Sequence, residues 1–88
     1  MKSGEKLRNI GPVSAAWLAA VGVASREDLQ RLGPVVAFAR VRRVQPRASL
    51  NLLWALEAAL ADCDWRELTP ETKSRLRDEL HELNHGAA

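Results

Sequence analysis

Five consecutive residues near the end of the chain, His81-Glu82-Leu83-Asn84-His85, have the types and spacing of a zinc-protease motif. On a helix, histidines at i and i+4 share one face and can chelate a metal while the adjoining glutamate acts as general base. Such a centre needs a third protein ligand and an open coordination position. Only Gly86, Ala87 and Ala88 follow, so the usual downstream ligand is missing. The expectation is a solvated terminal helix with two histidines, and no metal, cofactor or catalytic residue. No nucleophile, base and orienting group can be assembled elsewhere, so an enzyme is not expected.

A second cluster is basic: Arg40, Arg42, Arg43 and Arg47. Guanidinium forks donate in parallel pairs, which suits phosphate. Stacking on unpaired bases is not expected, because Phe38 falls on an apolar stripe and the chain has no tyrosine. The run sits in a wider asymmetry. Residues 1–48 carry nine Lys/Arg against three acids, a net +6, and residues 49–88 carry four against eight, a net −4. Such a split marks a face for an anionic partner if the halves are also separate in space. It is equally explained by two halves that complement each other inside the fold.

The third candidate is a turn. Leu7-Arg8-Asn9-Ile10-Gly11-Pro12-Val13 is echoed 22 residues later by Leu32-Gly33-Pro34-Val35. Glycine tolerates the positive φ of a tight turn, and proline is preset for the first position of a helix. Such a turn can offer backbone N–H groups to a phosphate, with Lys6 and Arg8 assisting beside Asn9 and Gly11. The alternative is a helix entry that only packs. The lone Cys63 has no partner for a disulfide, fits a reducing compartment, and reads as a small packed residue.

Every segment that must position these groups reads as helix. No stretch alternates with period two. A first helix spans residues 12–21, with Val13, Ala16, Trp17, Ala20 and Val21 as its buried face and Gly22 as its left-handed end. Ser25-Arg26-Glu27-Asp28 resembles a capping box that opens a short helix presenting Leu29 and Leu32. Pro34 starts a third helix with Ala37, Phe38, Val41 and Val44 on its apolar stripe, and Pro46 ends it.

Residues 49–62 form the central element, apolar nearly all round apart from Glu57 and therefore surrounded by the others or by a second subunit. Trp65 folds back onto it. Thr69-Pro70 opens the last helix, with Leu76, Leu80 and Leu83 buried and Glu71 paired with Arg75. The expected core is Trp17, Leu29, Phe38, Leu53, Trp54, Leu56, Leu60, Trp65, Leu76 and Leu80. Residues 1–6 and 86–88 are expected to fray, leaving one domain over 7–85.

The two glycine-proline phrases, with Leu50-Asn51-Leu52-Leu53-Trp54-Ala55-Leu56-Glu57-Ala58-Ala59-Leu60 and the later Asp64-Trp65, resemble the carboxy-terminal domain of the TfoX family. Those proteins are bacterial regulators of natural competence. The resemblance runs from about Leu7 to Leu76. It implies an all-α bundle of five to six helices, related to the helix-hairpin-helix and SAM-like group, with a regulatory role and no catalysis. The family's usual amino-terminal domain has no counterpart here, so a stand-alone version is expected.

Two functional readings follow. The first is a cytoplasmic accessory module of gene regulation that docks on a protein or on its own twin. The second is weak, sequence-independent binding of nucleic-acid phosphate by Lys6, Arg8, Asn9, Gly11, Arg40, Arg42, Arg43 and Arg47. Neither a membrane nor a small-molecule substrate is expected, since no apolar run can span a bilayer.

Overall fold

In a computed structural model, which describes residues 10–85, the chain forms α1 (Pro12–Ala20), α2 (Arg26–Leu32), α3 (Pro34–Val44), α4 (Leu50–Ala61) and α5 (Pro70–His85). A single 3₁₀ turn (Trp65–Glu67) separates α4 from α5, and the described residues contain no strand. The expected all-α bundle is what forms. The expected fraying of residues 1–6 and 86–88 concerns positions outside the described residues.

The bundle is organised by α4. Leu52, Leu53, Trp54, Ala55, Leu56, Ala58 and Ala59 are all buried on this one helix. Residues so closely spaced cannot share one face, so the other elements must enclose the helix from several sides. Leu18 of α1, Leu29 of α2, Phe38 and Val41 of α3, and Leu76 of α5 are fully buried in the same core, as is Val23 from the turn before α2; α2 and α3 lie closest to α4, and α3 also carries α1 and α5. Trp54 is covered by Lys73, whose ammonium lies 5.6 Å from the ring centre. Glu57 meets Arg75 of α5 at 3.3 Å.

A buried helix must also have its ends satisfied, because its last carbonyls lack partners within the helix. Asp62 takes the left-handed conformation (φ 59°), and the Cys63 N–H reaches back to the Ala58 carbonyl at 3.0 Å. Arg26 of α2 then donates to the Ala59 carbonyl at 2.7 Å and the Leu60 carbonyl at 2.8 Å. A cation at a helix C-terminus also opposes the negative end of the macrodipole. The capping box holds this arginine in place: the Ser25 hydroxyl accepts from the Asp28 N–H, and the Asp28 carboxylate accepts from the Ala24 N–H at 3.0 Å. That backbone donor, joined by Arg31, keeps the Asp28 carboxyl below its ordinary range.

Several expectations about faces are corrected. On α1, Val13 is 63% exposed and Leu18 is the buried residue, with Ser14, Trp17 and Val21 half-buried. The buried face is rotated by one residue, about 100°. The helix is apolar nearly all round, so periodicity could not choose between the registers. On α3, Val44 is 56% exposed because it stands in the row of Arg40, four residues earlier, while the buried row passes through Phe38 and Val41. On α5, Leu83 is 39% exposed, since only Leu76 and Leu80 reach the core. Arg75 pairs with Glu79 and Glu57 and not with Glu71, the carboxylate of α4 having joined the competition.

Trp17 and Leu60 lie at the half-buried margin of the core. Trp65 is 38% exposed. Asp64 accepts from the Arg66 N–H at 2.9 Å and pairs with its guanidinium at 3.0 Å, which fixes the turn with Trp65 along the outside of α4.

Leu53 is fully buried at the centre of α4. Leu53→Ala is expected to lower unfolding stability by about 2–5 kcal/mol, the range for deleting a buried leucine, as read by denaturant titration.

Candidate docking and phosphate surfaces

The two glycine-proline turns are not conformational copies. Gly33 has φ 87° and is the sole residue between α2 and α3, a geometry that disfavours any side chain. Gly11 is extended, with φ −81°, and a Cβ built there would meet nothing within 4 Å. The entry to α1 therefore does not itself require glycine. Lys6, Arg8 and Asn9, expected to flank that turn, lie outside the described residues.

Three of the four arginines of residues 40–47 line one groove, and Arg47 lines another. Arg42 is committed to the fold: its Nε donates to the Ala48 carbonyl at 3.0 Å, and its guanidinium stacks 4.8 Å over the Phe38 ring. That bond ties the end of α3 to the start of α4. Arg40 and Arg43 are exposed, and no ion pair among the described residues engages them. With Arg42 they edge a groove of about 600 Å³ between α3 and α5, floored by Val36, Ala39, Leu80 and Leu83.

Arg47 faces a different groove, of about 380 Å³, whose walls include Trp17 and Trp65 with Ser14 and Asn51. The expectation that no aromatic accompanies the arginines thus holds along the sequence and fails in space. Tertiary folding alone brings Trp17 and Trp65 to Arg47.

Sequence reasoning missed a second apolar groove, of about 480 Å³, on the other flank of Leu83. Gly33, Pro34 and Val36 of the α3 entry line it together with Glu79 and Glu82 of α5. Val36 and Leu83 border both grooves, so α5 carries acid to one side of this ridge while α3 carries base to the other. The only signal in the sequence was that Leu83 and Val44 end their stripes.

The rings of His81 and His85 lie 4.3 Å apart on the exposed side of α5. Among the described residues no group of three or more His, Cys, Asp or Glu side chains could hold a metal ion. Cys63 is half-buried where α4 ends. No helix among the described residues is long and apolar enough to cross a membrane.

A small helical bundle whose surface offers grooves edged by charge, with a glycine-proline entry to its first helix, is a compact all-α domain. Residues 2–80 match the TfoX C-terminal domain, and the chain belongs to that family, which is linked to the regulation of competence. No curated protein and no solved structure gives a significant match.

Two expectations follow from these geometries. Arg42→Ala should lower the melting temperature, because it leaves the Ala48 carbonyl without its donor, at a cost of about 1 kcal/mol or more, while Arg40→Ala leaves it unchanged; thermal unfolding by circular dichroism distinguishes them. Protein freed of column metal should carry no stoichiometric zinc, and His81→Ala should leave the helical signal intact. Zinc retained through dialysis against a chelator would show the two histidines to be part of a real centre.

Proposed function

We propose that this domain is a non-catalytic accessory module in the regulation of competence genes, acting by docking on protein. The observation that carries the reading is the apolar floor of the α3–α5 groove, Val36, Ala39, Leu80 and Leu83, with Arg40, Arg42 and Arg43 at its margin. Arg42 is already engaged by the Ala48 carbonyl and the Phe38 ring, and Arg47 faces a different groove. Apolar floor with charged margins is the anatomy of a protein interface. Leu83, one of the four exposed large apolar side chains among the described residues, lines it.

One observation favours phosphate as the second reading. The groove of Arg47 has no acidic residue in its lining and holds two tryptophans that could bear on a base. A sequence-independent contact there would be weak, with a single guanidinium to supply charge.

Titration of labelled DNA duplexes at two ionic strengths tests the choice. Docking predicts no measurable binding even at low salt. Binding whose slope of log affinity against log salt flattens by about one unit on Arg47→Ala would establish the phosphate reading. In the host cell, Leu83→Ser should lower competence-gene expression, while Val13→Ser, a more exposed change away from the face, should not.

A further inference from the structure

We infer that the α3–α5 face binds a second copy of this chain about a twofold axis, an inference that rests on the docking reading and names its partner. The argument is the order of features across the face. The acidic side chains Glu79 and Glu82 come first, then the ridge of Val36 and Leu83, then the groove floored by Ala39 and Leu80, then the basic margin of Arg40, Arg42 and Arg43. A twofold axis set between ridge and groove reverses this order in the second copy. The ridge of each chain then faces the groove of the other, and the acids of each face the arginines of the other.

An isologous interface requires such a self-complementary patch. Neither a uniformly basic nor a uniformly acidic face could supply it, since like charges would then meet across the axis. The groove of about 600 Å³ has room for the leucine of a second copy. Leu83, at 39% exposure, is the largest apolar side chain this ridge leaves uncovered. Glu79 already pairs with Arg75 at 3.2 Å, an exposed contact that leaves its second oxygen available.

The two parts of the patch have different roles. Apolar contact between ridge and groove supplies attraction, while exposed charge pairs contribute little energy and mainly fix register. Association is therefore reversible and weakens as salt rises, because margin charges are screened.

Sedimentation equilibrium of the full chain over a wide concentration range provides the test. Wild type should shift from monomer towards dimer as concentration rises. The doubly reversed chain Arg40→Glu with Arg43→Glu should remain monomeric, as should Glu79→Lys with Glu82→Lys. All four positions are exposed, so circular dichroism should show both variants folded, and Arg75 keeps Glu57 when Glu79 is changed. Mixed in equal amounts, the two variants should form a heterodimer, which a merely damaged surface could not do. Leu83→Ser should weaken dimerisation without altering the charge pattern.

A chain that stays monomeric throughout, or a dimer indifferent to both reversals, overturns the inference. If such a monomer still loses competence-gene expression on Leu83→Ser, docking stands and the partner is a different protein. If dimers form as described while expression ignores Leu83, the twofold stands and the docking reading of function falls.

Discussion

The burial of α4 is the constraint from which the rest of the molecule follows. A helix with apolar residues on several sides cannot be stable beside a single neighbour, so α2, α3 and the 3₁₀ turn lie closest to it, and α1 and α5 join chiefly through α3. The end of that helix makes a second demand, since its last carbonyls have no partners within the helix. The fork of Arg26 meets that demand across a separation of more than thirty residues. The link is sequence-distant, and it fixes where α2 must stand. The capping box at Ser25, ordinary in itself, acquires importance because it sets the position of that arginine.

The charge asymmetry of the sequence is resolved by this architecture in an uneven way. Part of the basic half is structural: Arg26 on the end of α4, Arg31 with Asp28, and Arg42 on the Ala48 carbonyl. Among the described residues, Arg40 and Arg43 line one groove beside Arg42, and Arg47 lines another. A net charge counted along a chain says how much charge exists, whereas partner choice depends on what is left after the fold has taken its share. Across the α3–α5 face the remainder is dipolar, acid on one flank and base on the other.

How far this was legible in the sequence differs by element. Helix boundaries marked by chemistry were readable: Ser25, Gly22, the prolines at 34 and 70, and the Thr69 cap, whose hydroxyl accepts from the Thr72 N–H. The position of α4 at the centre followed from its composition. The facing of α1 did not, because alanines on every side leave the periodicity undetermined until Leu18 finds its pocket. The surfaces were hardest. Arg42 and Arg43 are neighbours in sequence and line the same groove, yet only Arg42 stacks over Phe38 and bonds a backbone carbonyl, and no rule of spacing tells them apart. Likewise the approach of Trp17 and Trp65 to Arg47 exists only once the chain is folded.

Those tryptophans have a consequence of their own. The three indoles occupy three distinct surroundings: Trp54 is buried beneath a lysine, Trp17 is half-buried, and Trp65 stands largely in solvent. Indole emission shifts with the polarity around the ring, and a soluble quencher reaches only the rings that water reaches. The molecule thus contains its own spectroscopic probes, separated by location. Emission from Trp54 follows the integrity of the helix at its centre, while Trp17 and Trp65 brighten or dim together with whatever enters the groove they wall.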